Sequence, residues 1–502
     1  MSGGGLLKVD PLGGSLATYG PLVVAEKVVS YARVILLAWL LGQGEFGLWQ
    51  LGVMIFSVGS HVMTLGSFHG LARYASLYQQ QGTLRTFLRR STWAVGLLGA
   101  ATLLAGLLLL PQLTHWAIGS DRGSAALPYR RQLLAAGLAL VNASAMAGYM
   151  NLQFTLRALG TFRLLGMLDL LYSLGFTLLA CLVCLARPDG NVVMAAHAAS
   201  LVGAMLLGMA ALHRFLRQNA PTPAAEALSP AETAWRPLLG RLIGYGAVAT
   251  AAGLLWQVAN QVSVWYTNRY LGPADVGVYS AYRQLCQMTW VLAGTLWGVV
   301  YSHAARSWEA DDRPAALATL DLTYKLAVLA MMTLNLLALA TATWWRHLLP
   351  PGFRDHLEVL GGLLMFFQAS ANLHLALTAA YLAQRPSAGV AMLALGIVAN
   401  ALLCHWSMVS GGSLLAAANS AGWGMMLASA AGCLYLRLGG FRMGGWVYIL
   451  SASPMLLLLP LWLSLPVWAA LLAATALAGQ VLTPAQRGRL AIWAKRPGKA
   501  EK

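Results

Sequence analysis

Charge is what this chain has least of. Only 10% of its residues are Asp, Glu, Lys or Arg, while 58% are hydrophobic and the mean hydropathy is +0.64. Soluble domains carry about a quarter charged residues, so a water-soluble globular chain is excluded. Acid is scarcer than base: 16 Asp+Glu stand against 33 Lys+Arg, a net charge of +17. The 5 cysteines (Cys181, Cys184, Cys286, Cys404 and Cys433) all lie in apolar stretches, which argues against a disulfide framework. Cys181 and Cys184 have the spacing of a redox or metal pair. Their surroundings, LLACLVCLA, offer no acid, histidine or second pair, so they read as small apolar residues. The 10 histidines are scattered singly, with no His-x-x-x-His on one helix face, so no metal site is expected. Asp311-Asp312 after Glu309 has the look of an acidic metal pair, but Arg306 and Arg313 beside it make it a solvated turn. A phosphate-binding G-x-x-x-x-G-K-[ST] loop is missing, so ATP hydrolysis within the chain is not its drive, and no cofactor is expected. No charged n-region precedes a short apolar run with a small-residue cleavage site, so no removable signal peptide is expected.

What is present is apolar sequence in long runs. A bilayer is crossed by roughly 20 apolar residues, and the chain offers about 14 such spans. They fall near 16–41, 47–70, 92–117, 132–156, 164–186, 192–213, 241–268, 277–304, 316–345, 359–383, 388–408, 414–435, 445–463 and 467–483. The fold class is therefore an all-α integral membrane protein. An even count puts both termini on one side. That side collects most of the basic residues, among them Arg73, Arg85, Arg89, Arg90, Arg157, Arg163, Arg214, Arg217 and the tail from Arg487 to Lys502. Positive residues stay in the cytoplasm, so both ends are expected there, beside anionic lipid headgroups rather than nucleic acid. The connections are short, and none can hold a soluble catalytic domain, so an enzyme is not expected. The longest connection, 216–240, is proline-rich and lies midway. The expected organisation is a leader (1–14), an N-lobe of six spans (15–215), a cytoplasmic linker (216–240), a C-lobe of six spans (241–436), two further spans (437–484) and a basic tail (485–502).

The halves are related. LLGQGEFGLWQLGV at 40–53 and YLGPADVGVYSAYR at 270–283 share Leu-Gly-x-x-acid-x-Gly-x-aromatic at an offset of about 230 residues. Gly42 pairs with Gly272, Glu45 with Asp275, Gly47 with Gly277, and Trp49 with Tyr279. Each copy reads as a tight turn, in which one glycine ends a helix and the other lets the next pack closely.

Ionisable residues inside spans are costly and are functional candidates. Span 1 carries Glu26, Lys27 and Arg33; Glu26, Ser30 and Arg33 share one helix face, while Lys27 points about 100° away. Span 8 carries Arg283 in a stripe with Tyr279, Gln287 and Trp290. Asp321 and Lys325 are an i,i+4 pair near the cytoplasmic end of span 9, the spacing of an interfacial salt bridge. Gln257, Gln261 and Asn268 line one face of span 7, Gln368 and Asn372 one face of span 10. Such groups serve either interhelical hydrogen bonds or a substrate. Asp169 lies about a turn inside span 5, close to Arg163, as a local anchor. Arg33 and Arg283 are too deep to reach headgroups and are expected to face an aqueous lumen. Arginine suits an anionic passenger, because its fork binds phosphate with a fixed charge.

The two turn motifs resemble the polysaccharide flippase branch of the multidrug/oligosaccharidyl-lipid/polysaccharide exporter superfamily, over roughly 12–437. The resemblance implies two six-helix lobes flanking a cationic cavity, and a glycan on undecaprenyl pyrophosphate turned from the cytoplasmic to the outer leaflet. It carries substrate contact onto Arg33 and Arg283, with Lys27, Gln287, Gln261 and Lys325 as further candidates. Related sequences often have an acid about nine residues before the second turn's glycine; this chain has Ser263, which leaves Glu26 and Asp169 as the remaining acids for any cation coupling. The implied partners are the lipid-linked glycan, anionic lipids and, in an assembly, a polysaccharide polymerase; a monomer is expected. The rival within the superfamily is a peptidoglycan-precursor flippase or a cation-coupled exporter. A rival of another class, a membrane-embedded polymerase or ligase, carries a large outer loop, whereas the outer connections here, 119–131 and 346–358, are short.

Overall fold

A computed structural model describes residues 12–64, 84–119, 128–218 and 235–476, with Leu71, Tyr78, Val481, Leu482 and Gln486 as single positions. The expected leader up to residue 11, the linker over 219–234 and the tail apart from Gln486 lie outside the described residues.

Helix is the only regular structure among them. The helices are α1 (Leu12–Thr64), α2 (Leu84–Leu108), α3 (Leu110–Ala117), α4 (Tyr129–Ala158), α5 (Phe162–Ala186), α6 (Gly190–Gln218), α7 (Trp235–Tyr270) and α8 (Pro273–Glu309). There follow α9 (Arg313–Ala340), the four-residue α10 (Ala342–Trp345), α11 (Val359–Leu382), α12 (Pro386–Val409), α13 (Leu414–Leu438), α14 (Gly445–Ser451) and α15 (Leu461–Ala476). Seven of them, α2, α4, α5, α6, α9, α11 and α12, are each long and apolar enough to cross a bilayer by themselves.

The first two expected spans are the two arms of α1. They are joined at Gly42, whose φ of 69° and ψ of 179° break the helical run in the left-handed region that glycine tolerates. The third is divided at Leu109, two residues before Pro111, which has no N–H to give the preceding turn. The thirteenth is not one helix. After α14 the chain turns at Ala452 and runs as a 3-10 segment over Ser453–Leu458, with Pro454 at its start and Pro460 before α15. Together these 13 residues rise roughly 22 Å, short of a hydrocarbon core of about 30 Å.

The chain divides into two compact units, Met1–Val278 and Tyr279–Lys502. In the first, both arms of α1 pack on α4 and α5, α6 packs on both of those, and α7 lies beside α1. In the second, α11 is the central helix, packed on α13 and α9, with α12 outside α13. Its apolar window is 89% buried, against 11% for α2. In the first unit the helix ends sort by alternation. Leu71, Tyr78, Leu159 and Phe215, from the connections after the second, fourth and sixth spans, form one apolar cluster with Leu84 and Phe87. Glu45, Arg131 and Asp189, from the connections after the first, third and fifth, form one ion cluster. That is the arrangement of a chain crossing a membrane back and forth.

Candidate functional site

The polar residues of the first arm of α1 are built into a network. Ser30 Oγ donates to Glu26 Oε1 at 2.9 Å, and Arg33 Nη2 donates to Ser30 Oγ at 3.2 Å, so the expected single-face stripe is continuous. Arg33 Nη1 reaches across to α5, to Ser173 Oγ at 3.2 Å, Ser173 O at 3.3 Å and Thr177 Oγ1 at 3.3 Å. Its guanidinium also lies 4.7 Å from the centre of the Phe176 ring, a cation–π contact. Arg33 and Glu26 stay partly open, with Glu26 15% exposed. Lys27 does not point away from Glu26: its Nζ comes back to Glu26 Oε2 at 2.9 Å, because a long flexible stem swings across the intervening angle. The cluster thus holds two cations to one carboxylate and has a net positive charge.

Behind it lies a second network that the sequence reading missed. Asn142, fully buried on α4, donates its amide to Leu138 O at 2.8 Å and to Met194 O at 2.9 Å. Its oxygen therefore faces His197 Nδ1 at 2.6 Å, which fixes the proton on Nδ1 and leaves Nε2 to accept from Tyr172 Oη, also at 2.6 Å. His197 is enclosed by Phe176, Trp49 and Phe56, with ring centres 4.7, 5.3 and 4.9 Å away. The His197 ring meets the Phe176 ring on which Arg33 lies, so the two networks share one wall. Asp169 belongs beside them: its Oδ1 accepts from Tyr149 Oη at 2.7 Å and Gln153 Nε2 at 2.5 Å, both on α4. Gln261 on α7 donates to Ser57 Oγ at 3.3 Å, and its Oε1 has no hydrogen-bond partner among the described residues.

The turns meet each other. Gly272 ends α7 at a φ of +111°, as Gly42 does between the arms of α1 at +69°. A Cβ on Gly47 would lie 1.7 Å from Pro273 O, and one on Gly277 would lie 2.2 Å from Gln43 O. The second glycine of each copy is thus packed on the backbone of the other copy. Glu45 of the first copy accepts from Arg131 Nη2 and from Gly190 N, each at 2.9 Å, so it also neutralises the start of α6.

In the second unit, Arg283 is 7% exposed and Tyr279 1%, while Gln287 is partly exposed on the same stripe. In this conformation Arg283 is packed in helix contacts. Lys325, 3% exposed, pairs with Asp321 at 2.6 Å. Asp321 also accepts from Gly444 N at 3.0 Å and Gln486 Nε2 at 2.7 Å, so the pair anchors the start of α14 rather than facing headgroups. Gln368 accepts from Asn335 Nδ2 at 2.8 Å, and Asn372 reaches Ser451 O at 3.3 Å. All five cysteines are free thiols, Cys181 and Cys184 included. No group of three or more potential metal ligands occurs among the described residues.

The backbone trace of this helix bundle has counterparts among solved structures. An inward-facing multidrug resistance MATE family transporter of the MOP superfamily superposes with a TM-score of 0.64 at 14% identity, covering 85% of this chain and 95% of its own. The fold is that of the MOP superfamily transporters. The lipid II flippase MurJ, in an inward closed conformation, matches with a TM-score of 0.64 at 11% identity, over 91% of this chain and 99% of its own. A MOP superfamily transporter from Pyrococcus furiosus, described by the reversed polarity of its binding pocket, matches with a TM-score of 0.60 at 13% identity, over 90% of this chain and 99% of its own. No family model and no curated protein matches the sequence.

Proposed function

We propose that this chain is a flippase of the bacterial cytoplasmic membrane, moving an oligosaccharide on undecaprenyl pyrophosphate from the cytoplasmic to the outer leaflet for surface polysaccharide synthesis. The observation that carries the reading is Arg33: a guanidinium in the middle of an apolar helical arm, oriented by Ser30, Ser173, Thr177 and Phe176 and still partly open. A charge there is costly to insert, and a held, part-exposed guanidinium is suited to a phosphate group that must be gripped and then released. Arg283 and Gln287 are the corresponding candidates of the second unit, and Lys27 and Gln261 are further candidates of the first. Glu26 and Asp169 are the candidate coupling acids; the Asp169 carboxyl already has two hydrogen-bond donors. Both termini are assigned to the cytoplasm by the distribution of basic residues.

Mass spectrometry of lipid-linked glycans in a strain lacking the chain tests this. Undecaprenyl-pyrophosphate oligosaccharide should accumulate on the cytoplasmic side, while surface polysaccharide is lost. A second reading rests on the likeness to the lipid II flippase, which covers nearly the whole of that chain. It predicts accumulation of the peptidoglycan precursor instead, with surface polysaccharide intact. Unchanged pools of both lipids would overturn both readings.

A further inference from the structure

The second unit has a cavity of about 450 Å³ that none of the transport residues line. It lies where the end of α8, the starts of α9 and α12, and the ends of α11 and α13 come together, hence at one end of the bundle. Two arginines line it, Arg313 and Arg385, with Gln384 and the rings of Trp308, Tyr435 and Phe441; no acidic side chain does.

Both arginines stand at the start of a helix. Arg313 is the first residue of α9, and Arg385 is the N-cap of α12, followed in each case by proline. The start of a helix is its positive end, which favours an anion and disfavours a guanidinium. At α9, Asp312 offsets this by accepting from Ala315 N at 3.1 Å. At α12, the N-cap Arg385 makes no side-chain capping bond. Two guanidiniums thus converge on one half-open cavity without an acid in its lining, where the carbonyl ends of α8, α11 and α13 offset only part of their charge. Asp311 meets Arg313 Nε at 3.4 Å from outside, with its own side chain 88% exposed. The cavity is also shaped. The Arg313 guanidinium lies 5.3 Å from the Trp308 ring, Trp308 stacks on Phe441 at 6.0 Å, and Tyr435 closes on Phe441 at 5.9 Å. Arg385 is placed by a tight turn, in which Gln384 takes a φ of 54° and Arg385 N returns to Ala380 O at 2.8 Å. From the Tyr435 edge, Leu434 and Leu438 stand exposed along α13, followed one turn and more away by Leu427.

We propose that this cavity is a phosphate site for the headgroup of an anionic phospholipid, whose acyl chain runs along the leucines of α13. The aromatic rings suit the depth of a membrane interface, and the arginine pair suits a phosphodiester with its forked contacts. The positive-inside assignment puts this end in the cytoplasmic leaflet. The site is separate from Arg33 and Arg283, so it stands whether or not the transported molecule is a pyrophosphate-linked glycan.

The test uses the full chain, purified and delipidated, in native mass spectrometry with phosphatidylglycerol or phosphatidylcholine. Phosphatidylglycerol should be retained at least tenfold better than phosphatidylcholine. The double variant Arg313→Ala/Arg385→Ala should lose that preference, and Arg385→Lys should keep part of it. Arg437→Ala/Arg442→Ala, exposed and outside the cavity, should bind like the wild type. Both lining arginines are exposed, so unfolding temperature should not move. Retention of phosphatidylglycerol by the double variant at the wild-type level would overturn the site. Displacement of the lipid by inorganic phosphate at equal concentration would overturn the lipid assignment in favour of a soluble phosphate.

Discussion

Arg33 and His197 both touch the Phe176 ring and call for opposite experiments. His197 is a satisfied core group: its two nitrogens are taken by Asn142 and Tyr172, and three aromatic rings enclose it. Truncation strands the Asn142 oxygen and the Tyr172 hydroxyl in an apolar interior, at about 1–3 kcal/mol for each unsatisfied group. His197→Ala should therefore lower the unfolding temperature and the amount of inserted protein, with transport per surviving molecule little changed. Arg33 is predicted to behave the other way. Its partners, Ser30, Ser173 and Thr177, are hydroxyls and a carbonyl that can re-pair locally within their helices, as Thr177 Oγ1 already does with Ser173 O at 2.7 Å. Arg33→Ala should leave protein level near normal and reduce glycan export per inserted molecule by at least tenfold, while Arg33→Lys, which keeps charge but loses the fork, should be intermediate. Quantitative immunoblotting of membranes beside surface-glycan assay separates the two patterns. Low protein with normal turnover in Arg33→Ala would make it a structural residue.

At the level of elements, Gly47 and Gly277 give the sharpest prediction. Because each would drive a Cβ into the backbone of the other turn, Val at either position should block assembly, and even Ala at Gly47 should be poorly accumulated. Gly44, with nothing within 4 Å of its Cβ site, should accept Ala without loss and serves as the control. Normal expression of Gly47→Val would show that the turns can separate freely. This element was also the most legible in the sequence. Two copies of one motif imply equivalent turns, and the Gly42 and Gly272 conformations follow from residue type. That the two copies pack on each other was not legible, since periodicity within a segment says nothing of which segment it meets. The same limit applies to the missed site residues. Asn142 and His197 are 55 positions apart, and a single asparagine or histidine in an apolar span looks the same whether it is paired or waiting for a ligand. Lys325 illustrates the converse. Its i,i+4 acid was legible, but the Gly444 N–H and the Gln486 amide that complete the Asp321 shell come from more than 120 residues downstream. The broken thirteenth span was legible only in part: Pro454 and Pro460 mark it, yet uninterrupted hydropathy conceals a 3-10 segment.

For the molecule as a whole, the proposed function raises the question of what would drive an anion outward through a chain of net charge +17 whose sequence carries no G-x-x-x-x-G-K-[ST] phosphate loop. In the sequence most of those cations lie between the apolar spans or in the tail, the pattern expected of a topology signal, so the field that would matter is the one across the membrane. A pyrophosphate with about two negative charges gains roughly 2.3 kcal/mol per charge for each 100 mV of inside-negative potential as it leaves. Over the full crossing that is about 4.6 kcal/mol, some three decades in the equilibrium, if the headgroup keeps its charge throughout. Purified chain in liposomes loaded with the pyrophosphate-linked glycan should thus export faster under a valinomycin-set inside-negative potential, and slower when the sign is reversed. Inside must here mean the side of Arg85, and a tag near Phe353 should report the opposite compartment, since the measurement depends on orientation. An unaltered rate at both signs would mean that the charge is cancelled in transit by protons or cations carried on Glu26 or Asp169. In that case Asp169→Asn should restore a dependence on potential. A rate that stays insensitive in Asp169→Asn and in Glu26→Gln alike would leave no charged passenger for Arg33 to grip, and the proposed substrate class would fall with it.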